Sequence, residues 1–435
     1  MSQSLTALMA VAALSMTSAV RSPPPPDSLT LAAVLAELAA RSPQLRAARA
    51  GARAVAARIG PARRLPDPQL QLATMNRDLD GFELNDPLGM NQVQVMQMVP
   101  LGGKLGLAAR SARSDSAAAV SRIADAWWTQ RSAAVALFAE LWRTDRGTEV
   151  VEEATALLRR LASTSESRYR VGEGSQADML RSQVELARMQ EELLRMRAMR
   201  TGLAARLNAL LDRPPGDSVP TPELPDLSLD LPPLDSLLEL ASVTRPILMA
   251  GEHGVAAAAA TEKRASRELW PDLQLGAIYG QRAMDDGTER MVSLMVGASV
   301  PIWAGSRQKQ MQLEALAMRE MAEADLAAMR AETQGMLTEA LAELTRARRL
   351  GALYRNTILP QAQATVTSAL ASYEVGAVDF MTVLDNQMTV NRYRLDALVL
   401  VADEAKALAQ LEALTAHAWV LPDPQTTLSS GEPDR

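Results

Sequence analysis

Polar and apolar residues alternate in four short stretches of this chain, and the stretches occur as two pairs. They are Gln69–Leu72, Gln92–Val95, Leu273–Tyr279 and Met291–Val300. An alternation with a period of two predicts strands that carry one polar and one apolar face. The segments Asn76–Gly89 and Gln281–Arg290 separate the two members of each pair and are predicted loops. The pattern therefore predicts two β-hairpins.

A helical composition fills most of the remaining chain. Residues Leu107–Tyr169 contain no proline and one glycine, Gly147. At 1.5 Å per residue this segment predicts a helix of about 95 Å, roughly three times the hydrocarbon thickness of a bilayer. Such a helix does not fit inside a compact domain. The matching run Ser306–Tyr373 is as long, and three of its residues are expected to bend it. They are Gly335, Gly351 and Pro360.

The second half of the chain repeats the plan of the first. The motif Tyr169-Arg-Val171-Gly172 returns as Tyr373-Glu-Val375-Gly376, each time where a long helical run ends. Shorter helical runs follow the two motifs, namely Ser175–Leu211 and Asp379–Ala418. Further landmarks recur in the same order, with Pro43, Leu70-Gln71-Leu72 and Val99-Pro100 matching Pro246, Leu273-Gln274-Leu275 and Val300-Pro301. The chain is therefore predicted to duplicate a unit of about 200 residues, with each motif at the tip of a helical hairpin.

These landmarks predict five segments. Residues 1–20 are uncharged and largely apolar, which indicates an export signal; a plain N-terminal helix is the alternative, because no basic residue precedes Arg21. The first repeat spans residues 28–212, and a proline-rich linker spans 213–233. The second repeat spans residues 234–418. Residues 419–435 are predicted to be a disordered tail.

Composition and charge narrow the function. The net charge of -6 and the pI near 5.3 argue against nucleic-acid binding, which needs a basic face. The chain has no cysteine, which excludes disulfides, thiolate metal sites and cysteine nucleophiles. We find no phosphate-binding glycine loop, metal-ligand cluster or nucleophile motif with a base, so neither a cofactor nor an enzymatic activity is predicted. The 22 methionines suit either soft Cu(I) binding or ordinary filling of helix contacts, of which the second is the commoner role.

The predicted strands have two interpretations. They form either a half-buried sheet in a soluble protein or part of a barrel wall with lipid outside and water inside. The second is favoured because the neighbouring helices run away from the strands and leave nothing to cover the sheet. Four strands do not close a barrel, and lipid does not tolerate an open strand edge, so several chains are expected to share one. Trp270 and Trp303 flank the second strand pair and suit either an interfacial position or ordinary packing.

Two sequence segments resemble those of a known family. Gln97-Met-Val-Pro100-Leu-Gly-Gly-Lys104 and the later Tyr169-Arg-Val-Gly-Glu-Gly-Ser-Gln-Ala-Asp178 are similar to the heavy-metal efflux branch of the TolC-type outer-membrane efflux factors. The resemblance covers roughly Ser28–Ala418. It implies a mainly helical fold with a small β part, in which long antiparallel hairpins form a tunnel. Four strands per chain would join a shared transmembrane β-barrel.

The resemblance also implies an assembly and a function. The chain would be a homotrimer in the outer membrane, in contact with its lipid and projecting into the periplasm. It would export small substrates, metal cations among them, with a periplasmic adaptor protein and an inner-membrane pump as partners. The alternative is a periplasmic adaptor-like coiled-coil protein of an export system. Adaptors have one helical hairpin flanked by several β-domains, whereas this chain has two predicted hairpins and only two strand pairs.

Candidate gate residues follow from the same resemblance. The family closes its tunnel with a tyrosine and acidic residues just beyond Val-Gly, and the matching positions are Tyr373, Asp385 and Asp178. A ring of carboxylates at a constriction would favour cations. Asp178 suits equally a helix N-terminal carboxylate that faces the helix dipole. Some members carry an arginine shortly after the second Val-Gly, and here Ala377-Val378-Asp379 stands in its place.

The two tips themselves are candidate binding surfaces. Val171, Gly172, Val375 and Gly376 recur at the far end of both hairpins, which predicts that they bind the helical tip of the adaptor. Glycine lets a partner backbone approach closely. It also permits the positive φ of a helix C-terminus, a role that requires no partner.

Overall fold

The computed structural model describes residues 28–75, 89–172, 174–284, 287–375 and 377–421. Three predicted features lie outside the described residues: the signal segment 1–20, the loop from Asn76 as far as residue 88, and residues 422–435 of the tail. Gly376 also lies outside them.

The first repeat contains one helical hairpin and two long strands. It begins with β1 (Ser28–Thr30), α1 (Leu31–Arg41), α2 (Pro43–Ala56) and α3 (Ile59–Ala62). The strands β2 (Gln69–Met75) and β3 (Met90–Val99) follow, and then α4 (Lys104–Arg170) and α5 (Gln176–Leu210). Helix α4 has 67 residues, so it extends about 100 Å at the standard rise.

The second repeat has the same plan, since it too begins with a short strand, an 11-residue helix and a helix that starts at proline. Its elements are β4 (Thr221–Glu223), α6 (Leu234–Thr244), α7 (Pro246–Arg267), β5 (Leu273–Met284), β6 (Gly287–Ala298), α8 (Gln308–Leu353), a π-helical segment (Tyr354–Ile358), α9 (Leu359–Glu374) and α10 (Phe380–Thr415). Pro43 and Pro246 begin α2 and α7, where the missing N–H of proline leaves no bond unmade.

The three residues predicted to bend the second long run lie in different local structure. Gly335 and Gly351 lie inside α8 without interrupting it, because the helix continues to Leu353. The π-helical segment stands directly before Leu359 and Pro360. Proline lacks the N–H that an α-helix interior needs, and a π-turn is one way in which a helix accommodates this loss.

One antiparallel sheet unites the two strand pairs. Its strand order is β2-β3-β5-β6, so the pairing of β3 with β5 joins the two repeats. The register aligns Leu72, Val93, Tyr279 and Val292 in one row across the sheet. Leu70, Val95, Ala277 and Leu294 form the next row on the same face. These apolar side chains are exposed, up to 84% for Leu294.

One sequence prediction about the strands is wrong, and one short strand was not predicted. The described part of the segment predicted as a loop, Gln281–Arg290, is strand, because β5 runs to Met284 and β6 starts at Gly287. The register places Arg282 opposite Glu289, and opposite charges in facing positions favour the extension of the hairpin. The predicted linker also contains a strand, since β4 pairs in parallel with β1.

The helices form a layer that continues from the sheet. Near the strands, α2 packs against α4, α4 against α7, and α7 against α8. Further away α4 packs against α5, and α10 packs against α4, α8 and α9. The main core lies where α1 meets the middle of α4 and the end of α5, around Leu38, Trp127, Phe138 and Leu207. Within the described residues, no helix is both apolar enough and long enough to span a bilayer.

Candidate functional site

The first tip, where α4 turns into α5, requires glycine at two positions. The N–H of Val171 donates to the Ser167 carbonyl at 3.3 Å, and the N–H of Gly174 donates to the Arg168 carbonyl at 3.1 Å. Between them Gly172 has φ +79°, a left-handed conformation that ends many helices. A Cβ at Gly174 would lie 3.0 Å from the Tyr169 nitrogen. Glycine is therefore needed at position 172 because the backbone there has a positive φ, and at position 174 because there is no room for a Cβ.

Both outgoing helices are capped by the residue at the same position of the repeat. Ser175 Oγ accepts a hydrogen bond from the Asp178 N–H at 3.0 Å, and Asp379 Oδ1 accepts one from the Thr382 N–H at 2.9 Å. The hydrogen bonds from Thr382 lower the pKa of Asp379. A side-chain acceptor at this position satisfies an N–H that the first helical turn leaves unpaired. The two turns therefore have a common design.

Tyr373 lies between the two hairpins. Arg168 Nη1 donates to its hydroxyl at 2.5 Å, and the guanidinium carbon lies 5.3 Å from the centre of the tyrosine ring. The ring also meets Phe380 edge-on, with the ring centres 6.1 Å apart. Phe380 belongs to a small core at the tip together with Leu158 and Leu384. Tyr373 is thus fixed by a charged donor from the first repeat and by apolar packing within the second.

Asp385 faces an arginine of the other repeat. Arg181 Nη2 lies 3.9 Å from Asp385 Oδ1, and both side chains are more than half exposed. An exposed pair of this kind contributes about 0–1 kcal/mol to stability. Arg181 stands at the position of the first repeat that matches Asp385 in the second. The pair therefore links equivalent points of the two hairpins.

Asp178 lies in the first turn of α5 and is half-buried. This is the position of a carboxylate that faces the positive end of a helix dipole. Within the described residues, its side chain forms no ion pair and makes no hydrogen bond to Tyr373 or Asp385. The structure thus brings Tyr373 and Asp385 into contact with the first repeat, and it leaves the Asp178 carboxylate apart from both.

The tips present exposed apolar side chains. Val171 is 70% exposed and Val375 is 80% exposed. Each follows the last residue of its incoming helix, so both valines stand at the extreme end of a hairpin. A Cβ at Gly172 would meet nothing within 4 Å. The surface around these residues is therefore open.

Two site residues escaped the sequence reasoning, Arg168 and Arg181. Arg168 directly precedes the tyrosine of the first motif, and only the fold shows that its partner is the tyrosine of the second. Arg181 could have been found, because aligning the repeats places a positive charge against Asp385. This chain lacks the arginine that some family members carry after the second Val-Gly. Arg168 and Arg181 carry positive charge at the tip instead.

Methionines line one cavity far from the tips. A cavity of about 500 Å³ lies between α4, α7 and α8, and Met311, Met318 and Met321 line it beside Asp115 and Glu314. These methionines are 42–55% exposed. In the described part of the chain, no group of three histidine, cysteine, aspartate or glutamate side chains could hold a metal ion.

Comparison with known proteins gives one family match. Residues 237–417 match the family model described as outer membrane efflux protein. A sequence search among curated proteins finds no significant match.

Several solved structures share the fold. The outer membrane protein VceC of Vibrio cholerae is 19% identical with a TM-score of 0.75, over 89% of this chain and 96% of its own. The CmeC outer membrane channel of Campylobacter jejuni is 12% identical with a TM-score of 0.78, over 92% of this chain and 88% of its own. CusC, whose structures show conformational changes that accompany folding and transmembrane channel formation, is 15% identical with a TM-score of 0.76. The match covers 89% of this chain and 92% of CusC.

These findings confirm the predicted fold class over most of the chain. They confirm the resemblance to outer membrane efflux proteins through the family match to the second repeat and through the shared fold. The heavy-metal branch remains a prediction, as do the roles of the tip residues.

Proposed function

We propose that this chain is the outer-membrane channel component of a tripartite efflux system. It exports small substrates from the periplasmic side through a trimeric β-barrel that continues into a helical tunnel. The observation that carries the proposal is the uncovered apolar face of the four-stranded sheet, joined to helical hairpins whose incoming helical runs extend about 100 Å.

The sheet has the two faces that a channel wall needs. One face carries the exposed rows that contain Leu70, Leu72, Val292 and Leu294. The other face is more polar, as in the row Gln71, Gln94, Ile278 and Ser293, and it also carries methionines such as Met96 and Met295. Lipid would cover the apolar face and water would fill the opposite side. The exposed Trp270 and Trp303 lie at the ends of these strands, where interfacial aromatic residues contact lipid headgroups.

The two outer strands require further copies of the chain. β2 and β6 are the edges of the sheet, and an unpaired strand edge is not stable in a bilayer. Because β2 is one end of the order and β6 the other, copies would join head to tail and close a ring. Three copies, the number that the family resemblance implies, give a barrel of twelve strands.

The far ends of the hairpins suit a gate and a docking surface. Tyr373, Asp385 and Asp178 form the proposed gate, and their carboxylates would favour cations, in keeping with metal ions as candidate substrates. Val171, Gly172, Val375 and Gly376 form the proposed docking surface for the periplasmic adaptor, which connects the channel to an inner-membrane pump. The exposure of the two valines supports this role.

Membrane fractionation and native mass measurement in detergent test the proposal. We expect the protein in the outer-membrane fraction with the mass of three chains. A soluble monomer would contradict the channel. Crosslinking in cells followed by purification would identify the adaptor and the pump.

A further inference from the structure

A cavity lies over α7, in the part of the helical layer that is next to the sheet. Helix α7 packs against α4 on one side and α8 on the other. The residues of α7 that line the cavity are mostly small, as at Gly254, Ala257, Ala258 and Thr261. Their intervals of three and four place them on one face of the helix. Because these side chains are short, the flanking helices enclose a cavity of about 500 Å³ above them.

Methionines of α8 form one wall of this cavity. Met311, Met318 and Met321 line it, at intervals of seven and three, and they are 42–55% exposed. A methionine that fills a helix contact is buried, so these three side chains do not serve the core. The thioether side chain is flexible and polarisable, and it adapts to ligands of different shape. The cavity therefore has an apolar and adaptable wall.

The lining of the cavity is also acidic. Of its four charged side chains among the described residues, Asp115, Glu268 and Glu314 are acidic and Arg264 is basic. Glu268 is engaged by Lys104, whose Nζ lies 3.2 Å from Glu268 Oε2. Asp115 and Glu314 are exposed and form no ion pair in the described part of the chain. A cleft lined by one sign of charge concentrates ligands of the opposite sign.

The cavity lies on the side of the sheet that carries the polar residues. It adjoins a second cavity of about 280 Å³, with which it shares Glu268 and Met311. Asp272 and Ser299 line this second cavity. Asp272 directly precedes Leu273, which belongs to the apolar face, and successive side chains of a strand point to opposite faces. In a channel this polar side is the water-filled interior.

We propose that the methionine-lined cavity is a binding site in the channel wall for an organic cation, a molecule with a positive charge on an apolar body. The inference deepens the proposed function and rests on it, because a channel brings substrates past this side of the helices. The volume falls within the roughly 300–1,000 Å³ of small-molecule sites, whereas a single metal ion needs far less space. A soft metal ion held by the thioethers is the rival occupant.

Fluorescence anisotropy of rhodamine 6G, an apolar cation, measures binding to the purified trimer in detergent. We expect saturable binding of this dye and no binding of fluorescein, an anionic dye of similar size. Gly254→Leu should weaken binding severalfold, because a Cβ there meets nothing within 4 Å and the longer side chain would fill the cavity. Gly202→Leu is the matched control. Its Cβ also meets nothing within 4 Å and it lies in α5, outside the cavity, so binding should be normal. Both changes replace a helical glycine by a better helix former and should leave the fold intact.

Two further variants separate the organic cation from a soft metal ion. Asp115→Asn with Glu314→Gln removes both free carboxylates and should weaken dye binding severalfold. Met318→Leu with Met321→Leu keeps the apolar volume and removes the sulfur, so it should retain dye binding. Titration calorimetry with silver nitrate tests the rival. Saturable silver binding that the methionine variant loses, in a protein that binds no dye, would make the cavity a soft-metal site and overturn the proposal.

Channel recordings test whether the cavity faces the substrate path. Rhodamine 6G should lower the conductance of the unmodified channel in planar bilayers, and Gly254→Leu should be less sensitive. Dye binding without any effect on the current would put the cavity outside the tunnel and overturn its role as a substrate site. A membrane-bound trimer that binds no dye would overturn this inference and leave the channel standing. An unmodified protein that forms no trimer in the outer membrane would overturn the channel itself.

Discussion

Arg131 and Glu412 form a buried ion pair between the middle of α4 and the end of α10. Arg131 Nη2 lies 2.8 Å from Glu412 Oε2, and the two side chains are 2% and 3% exposed. Glu412 Oε1 also accepts hydrogen bonds from the N–H groups of Trp419 and Val420, at 2.7 and 3.0 Å. Arg131 Nη2 donates to the Leu421 carbonyl at 3.3 Å. The pair thus holds residues 419–421 against α4 of the first repeat and α10 of the second.

Removing one member of this pair should destabilise the protein strongly. Glu412→Gln leaves the Arg131 guanidinium buried without its counter-charge, which typically costs about 3–5 kcal/mol. Thermal unfolding in detergent measures the loss as a lower midpoint. Glu149→Gln, which breaks an exposed pair with Arg146, is the control and should stay within about 0.5 kcal/mol. Equal effects at both sites would contradict the argument.

The hydroxyl of Tyr373 should hold the tip in its present form. Tyr373→Phe removes the hydrogen bond from Arg168 and retains the ring that packs on Phe380. A hydrogen bond to a charged group contributes about 1.5–3 kcal/mol, so the open form should gain roughly tenfold or more in population. Planar-bilayer recording would show this as a higher mean conductance. Tyr169→Phe is the matched control at the same position of the first repeat. An unchanged conductance for Tyr373→Phe would remove this residue from the gate.

Carboxylates at the tip should set the ion preference of the channel. Asp178→Ala with Asp385→Ala removes two negative charges per chain, or six per trimer, and should lower the cation preference severalfold. Reversal potentials under a salt gradient measure this preference. Glu191→Ala with Asp235→Ala removes the same charge from exposed positions away from the tip. If both double variants keep the original selectivity, the tip carboxylates face the outside of the tunnel.

The helices and the long strands could be predicted from the sequence, because helical composition and strand alternation are both visible within short stretches of the chain. The limits of α4 and α5 differ from the predicted ones by three residues or fewer. The hydrogen bond from Arg168 to Tyr373 joins residues 205 positions apart, and no local pattern contains such a pair. The pairing of β1 with β4 was missed for the same reason, since each strand has only three residues. The gate candidates came from the family resemblance, whereas their partners came from the fold.

The exposed valines at the tips should be needed for adaptor docking and not for folding. Val171→Asp and Val375→Asp alter side chains that are 70% and 80% exposed, and surface changes of this kind usually shift stability by no more than about 0.5 kcal/mol. We expect a normal trimer, loss of crosslinking to the adaptor and loss of export. Gly172→Asn adds bulk while tolerating a positive φ, so it should act in the same way, whereas Gly172→Val should also reduce the amount of trimer. Export that survives all three exposed changes would reject docking at this surface, and loss of the trimer in the valine variants would assign these residues to the fold.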